Sequence, residues 1–325
     1  KLTMSLFSAD PNCLKVSILL LPESSLMSLA CSLDTMRAAN RIAAQDRFSW
    51  QILSIDGNAV RLSCGQIIHP DTAFNSPHSG DLLICIAAFH HQQHMGTQQL
   101  QLFKRRARDY RYLGAVESGS WILARAGFLS GLRATTHWED LEDFRNKFST
   151  IKVQPDRYVI DGRIFTTGGA SPTFDLLLHL IRKRFGHSLA LEVASVFIYD
   201  GTHLAHTPQP IVSLGFLQQQ SPSVSAAIEL MQQHIDEPIP ITYIATQLKL
   251  SRRTLEKKFS HQLGISPQRY YKRMRMQVAK RLVSDSLNNL QEIALRTGFS
   301  SLSVFSREFK LAFGTSPSQY RKQLH

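Results

Sequence analysis

The strongest restriction on the fold is a duplication near the C-terminus. Residues 251 to 270, SRRTLEKKFSHQLGISPQRY, align without a gap on residues 301 to 320, SLSVFSREFKLAFGTSPSQY. Leu255/Phe305, Phe259/Phe309, Leu263/Phe313, Gly264/Gly314, Ser266/Ser316, Pro267/Pro317 and Tyr270/Tyr320 coincide. Upstream, YIATQLKLS matches EIALRTGFS, so the two units differ by one residue in a turn. Apolar residues at i, i+4 and i+8 give each copy one buried helical face, and Gly followed by Ser-Pro ends one helix and opens the next. The pattern predicts two helix-turn-helix units joined by a long helix over Pro267 to Ser284, within an all-α domain spanning residues 224 to 325.

The face opposite those apolar residues carries Arg253, Glu256, Lys257 and Ser260 in the first copy and Ser303, Ser306, Arg307 and Lys310 in the second. With Arg252 and Ser301 at the helix starts, these are the candidate DNA contacts. Long cations and small hydroxyls suit phosphates and base edges in a major groove. A solvated charged face on a helical bundle would look similar, but charge favours the nucleic-acid reading. Of the net charge of +12, a surplus of nine falls after residue 221, where 16 Lys and Arg face 7 Asp and Glu. Such asymmetry points to a polyanion, with double-stranded DNA ahead of a membrane. Glu256 is unsuited to phosphate; it either accepts from a cytosine amine or pairs with a neighbouring cation.

Residues 15 to 205 read differently. Apolar runs without alternation, VSILLLP, WQILSID, DLLICIAAF, YLGAV and YVIDGRIFTTGG, are each set against helical patterns. This predicts an α/β domain with a mostly parallel, flavodoxin-like sheet flanked by helices. Residues 1 to 14 look like a loose tail, and residues 206 to 223, rich in Pro, Gln and Ser, like a linker. The four cysteines form no paired or His-associated motif, and no apolar run could span a bilayer, so a reducing cytoplasm is expected, with no cofactor.

The most chemically specific stretch of this domain is YLGAVESGSW, residues 112 to 121, a strand driven into a Gly-flanked turn and a helix. Turns of this kind expose nucleophiles in hydrolytic enzymes, yet here Glu117 stands on the turn. Its carboxylate would either attract a cationic ligand at the carboxyl ends of the strands or cap the following helix. His137 and Trp138 in ATTHWED could close the same pocket, or serve as a loop residue and a packing residue. Pro22 to Ser28 follow the first strand and should rim the cleft; Ser118 lacks the Gly-x-Ser-x-Gly frame of a nucleophile. The ligand candidates are thus Glu117, Ser118, His137, Trp138, Pro22 and Ser28. His90, His91 and His94, and HLAH at 203 to 206, raise metal binding, but no acidic or Cys partner lies nearby in sequence, so no metal site is expected. FKRRARDYR, 103 to 111, reads by default as a solvated helix face, with DNA contact as the alternative, and TTGGASP, 166 to 172, as a tight turn before a helix, with phosphate binding as the alternative.

Two resemblances follow from these motifs. EIALRTGFSSLSVFSREFKLAFGTSPSQYRK resembles the C-terminal signature of the AraC/XylS transcriptional regulators. LLLPESSLMSLACSLDTMRAANRIA, WQILSIDGNAVRLSCGQ and GAVESGSWILARAGFLSGLRATTHWEDL resemble the class I glutamine-amidotransferase-like, or PfpI-like, domain found fused to such regulators. In enzymatic relatives the elbow residue is Cys; the glutamate here implies the fold without the reaction. The resemblance implies a cytoplasmic homodimeric regulator, an activator acting with RNA polymerase, whose non-catalytic domain senses a small effector, an amino-acid-derived cation such as arginine, carnitine or glycine betaine. The rival readings are a PfpI-like amidase or hydrolase tethered to DNA and a ligand-independent scaffold.

Overall fold

The computed structural model describes residues 5–76, 80–199, 221–286 and 288–324. The chain divides into two compact units, residues 1–209 and 210–325. Most of the expected linker, and the histidines at 203 and 206, fall outside the described residues; its last residues already belong to a helix that starts at Pro222.

The first unit is built on β1 (Leu14–Leu20), β2 (Phe48–Ser54), β3 (Val60–Arg61), β4 (Ile67–Ile68), β5 (Thr72–Ala73), β6 (Leu82–Ala87), β7 (Tyr112–Glu117), β8 (Arg133–Ala134), β9 (Lys152–Val153), β10 (Tyr158–Asp161) and β11 (Ile164–Thr167). Seven of these form one sheet in the order β10-β11-β7-β6-β1-β2-β5, with only β10 antiparallel to its neighbour. The connections leave β1 first toward β2 and later toward β6, so the strand order reverses between β1 and β6. Residues alternate between two cores: Val16, Ile18 and Leu20 face α1 (Leu26–Ala43), while Leu19, Leu83, Cys85 and Ala115 face the opposite layer. That layer comprises α2 (His91–His94), α3 (Thr97–Arg106), α4 (Gly119–Arg125) and α5 (Leu141–Lys147). The α1 side is completed by α6 (Ala170–Phe185) and α7 (His187–Val196). Burial on both faces explains why these strands read as unbroken apolar runs.

Residues 5 to 14 of the expected loose tail are packed onto the domain. Leu6 is buried in the core beside α6, and Asp10 pairs with Arg184 at 2.6 Å. The basic stretch after Phe103 does form a helix end: Phe103 is buried while Lys104 and Arg105 face solvent.

The described residues of the second unit form helices joined by turns: α8 (Pro222–Gln233), α9 (Ile241–Gln247), α10 (Arg252–Leu263), α11 (Pro267–Asp285), α12 (Leu290–Arg296), α13 (Leu302–Phe313) and α14 (Pro317–Leu324). It has two small cores. Ile244, Ala245, Leu255 and Phe259 pack with Tyr271, and Ile293, Ala294, Phe305 and Phe309 pack with Met276, Ala279 and Val283. The long α11 supplies both, which makes it the spacer between the two helix-turn-helix motifs. Each helix-turn-helix turn needs a left-handed residue: Lys249 takes φ 56° in the first, and Gly298 φ 72° in the second. A side chain at Gly298 would strike Pro238, 2.3 Å from the nearest ring carbon.

Candidate functional site

β7 runs into the elbow, where Glu117 adopts φ 53°. Positive φ is uncommon for a residue other than glycine and clusters at functional sites. Six described residues other than glycine adopt it; three of them, Glu23, His90 and Glu117, follow or end the adjacent strands β1, β6 and β7. The elbow is clamped from several sides. Ser118 N–H donates to the Ala87 carbonyl at 2.9 Å. The Glu117 carbonyl accepts from Ser120 Oγ at 2.9 Å and Thr136 Oγ1 at 3.3 Å. Gly119 is required by close approach, since an added Cβ would lie 2.2 Å from the Cys85 carbonyl oxygen.

The ligand candidates divide into two groups. Ser28, buried in the first turn of α1, donates to the Glu117 carboxylate, so these two meet directly. Pro22 lies just beyond β1 at the same carboxyl edge and is partly exposed. Ser118 starts α4 and is only 5% exposed; its hydroxyl donates to Asp140 at 3.3 Å, so it is committed within the protein rather than open to a ligand. Thr136 and Asp140 bond the elbow on either side of His137 and Trp138, which holds that segment against it. His137 is partly exposed, 3.4 Å from a Glu139 oxygen, and its ring centroid lies 5.7 Å from that of Trp138. The glycine turn before α6 reaches this place too, a Cβ on Gly169 falling 3.8 Å from the His137 ring.

One grouping was not legible in the sequence. His90 Nδ1 and His94 Nε2 lie 2.7 and 2.8 Å from the same oxygen of Glu23. Burial pulls the Glu23 carboxyl upward, but hydrogen bonds and charge from His94 and His90 outweigh it and hold the group below its ordinary value of 4.5. The acidic partner absent from the local sequence arrives from the end of β1. Two thiols near the sheet are poor nucleophiles: burial, with the charges of Asp175 and Asp34, pushes Cys31 up to about 11, and complete burial raises Cys85 further.

In the second unit the two copies repeat residue by residue. Along α10, Arg253, Lys257 and Ser260 are exposed and Glu256 is partly so; along α13, Ser303, Arg307 and Lys310 are exposed and Ser306 is partly so. Both helices open on a serine cap. Ser251 Oγ accepts from the Thr254 N–H and Ser301 Oγ from the Val304 N–H at 3.3 Å, so Ser301, expected among the DNA contacts, caps the helix. Glu256 takes the second of its two expected roles, pairing with Arg252 at 2.8 Å across one turn. Lys272 on α11 pairs with Glu308, tying the spacer helix to α13. Arg275 donates to the Thr297 and Gly298 carbonyls at 2.8 and 2.7 Å, so it braces the second turn from within.

Comparison with known proteins agrees with this architecture. Residues 15–183 match the DJ-1/PfpI family and residues 244–323 a helix-turn-helix domain. The HTH-type transcriptional regulator GbdR of Pseudomonas aeruginosa is 31% identical over 307 residues, covering 94% of this chain and 84% of its own. The regulator CdhR of the same species is 31% identical over 306 residues, covering 94% and 91%. The crystal structure of a THiJ/PfpI family protein from Pseudomonas syringae superposes with TM-score 0.52 at 22% identity, over 73% of this chain and 90% of its own, a likeness of fold. With this fold, the duplicated helix-turn-helix and these relatives, the chain belongs to the AraC-type DNA-binding transcriptional regulators that carry an N-terminal DJ-1/PfpI domain.

Proposed function

We propose that the α/β domain binds a small, amino-acid-derived cation beside Glu117 and that its occupancy biases promoter binding by the two helix-turn-helix units. The observation that carries this reading is the elbow itself: a carboxylate on a positive-φ residue, braced by Ser28, at the carboxyl edge of a parallel sheet where ligands of such folds gather. A fixed anion there favours a cationic group, and the Trp138 indole nearby adds cation–π attraction of about 0.5–2 kcal/mol. Among the described residues the chemistry favours binding over turnover: the elbow residue is a carboxylate, Ser118 is buried, and Cys31 and Cys85 stay protonated at neutral pH. The domain is accordingly a sensor and not an amidase. Glu117, His137, Trp138, Pro22 and Ser28 form its pocket; Ser118 only supports it.

The DNA readers are Arg253, Lys257, Ser260, Ser303, Ser306, Arg307 and Lys310, presented by α10 and α13 in successive major grooves. The protein acts as a homodimeric activator in the cytoplasm, in contact with RNA polymerase; no helix among the described residues is long and apolar enough to cross a membrane. A coupling of about 1–3 kcal/mol between effector and promoter is sufficient for a useful switch.

The test is a thermal-shift screen of the full chain against arginine, carnitine, glycine betaine and neutral or anionic controls. A ligand at about 100 times its Kd stabilises by about 2.7 kcal/mol. A shift with a cation that is lost in Glu117→Gln supports the reading. Cations without effect, or a shift unchanged in Glu117→Gln, refute it.

A further inference from the structure

Glu23, His90 and His94 take no part in the proposed effector pocket. They stand where the strand order reverses, Glu23 just after β1 and the histidines just after β6. Their donor atoms, one carboxylate oxygen and two imidazole nitrogens, all lie within 4.8 Å of one another. The side chains are partly open, 41%, 16% and 22% exposed, so solutes can reach them. The backbone holds the group in place. Glu23 N–H donates to the Arg61 carbonyl at 2.8 Å, and a turn runs from His90 to the fully buried Met95. Glu23 and His90 both keep positive φ, at 57° and 49°.

We propose that Glu23, His90 and His94 form a binding site for a divalent transition-metal ion of the zinc class. Ligand atoms about 2.0–2.2 Å from one ion are about 2.8–3.1 Å apart at octahedral angles and about 3.3–3.6 Å apart at tetrahedral ones. The two His–Glu separations, 2.7 and 2.8 Å, lie at the short end of the octahedral range and below the tetrahedral one, so an ion enters by a small opening of the cluster. Imidazole with carboxylate selects zinc, nickel, cobalt or ferrous iron over calcium and magnesium, which prefer oxygen alone. Three protein ligands leave at least one coordination position for water or a small molecule, unlike a closed four-ligand structural site.

The experiment is a titration of the full, untagged, chelator-treated chain with Co²⁺, read by its visible d–d absorption, with Zn²⁺ as competitor. The expected result is saturation at one cobalt per chain and displacement by zinc. Glu23→Gln, His90→Ala and His94→Ala should each weaken binding about tenfold or more, while His234→Ala and His261→Ala leave it unchanged. Imidazole ¹⁵N shifts on adding Zn²⁺ provide an independent readout, with His90 perturbed at Nδ1 and His94 at Nε2. Absence of cobalt bands in the wild type, or equal binding by a folded His90→Ala/His94→Ala variant, overturns the site and leaves a hydrogen-bonded cluster.

Discussion

The hydroxyl of Ser28, in the first turn of α1, donates to the carboxylate of Glu117, 89 residues further along the chain. The bond ties the start of α1 to the elbow across the carboxyl edge of the sheet. Ser28 is fully buried, so deleting its hydroxyl leaves the carboxylate short of a donor that water does not readily replace. Ser28→Ala should lose about 1.5–3 kcal/mol in urea unfolding, the usual range for a hydrogen bond to a charged group. Unfolding indistinguishable from wild type would mean that the contact is not maintained in solution.

Gly119 permits the elbow to sit on β6. Since a Cβ there would meet backbone and not a flexible side chain, relief requires α4 to move. Gly119→Ala should destabilise by about 1–3 kcal/mol or more, while Gly127→Ala, whose Cβ would meet nothing within 4 Å, suffers only from its positive φ. Equal urea midpoints for Gly119→Ala and wild type would refute the close approach.

The recognition helices separate stability from specificity. Arg253→Ala and Arg307→Ala should each weaken operator binding by about 1–3 kcal/mol. Ser301→Ala should instead lower stability by about 1 kcal/mol through loss of the cap, with sequence preference unchanged. Arg252, held by Glu256, should matter less than Arg253. Competition gel shifts with operator mutants at fixed salt measure all four, and a change of base preference in Ser301→Ala would restore that residue to the interface.

Acid should loosen the spacer helix from α13. The hydrogen bond from Lys272, with help from Arg307, holds the Glu308 carboxyl below its ordinary value of 4.5. A depressed native pKa means that the stabilisation is complete above 4.5 and is lost as the pH falls through the lower native value. Glu308→Gln should therefore flatten the acid limb of stability against pH and remove about 0.5–1 kcal/mol at neutral pH. An unaltered acid limb, followed by circular dichroism on urea titration, counts against the pairing.

Regularities that depend on near neighbours could be read from the chain in one dimension. Unbroken apolar strands announced a parallel sheet, and the duplication announced two capped helices with matching faces, because burial period, caps and turn residues act over a few positions. The elbow could be located the same way, with Glu117 on it. Even so, short-range signals offered Ser301 only as a DNA contact and left Glu256 with two roles; the fold shows Ser301 capping its helix and Glu256 paired with Arg252. The meeting of Ser28 with Glu117, and of Glu23 with His90 and His94, required the crossover connections of the sheet. Those connections place the ends of β1, β6 and β7 side by side although tens of residues separate them, so no local spacing records the contact. The packing of Leu6 and Asp10 onto α6 was hidden for the same reason: a polar, loosely patterned segment finds its partners only on a surface that long-range folding has already built.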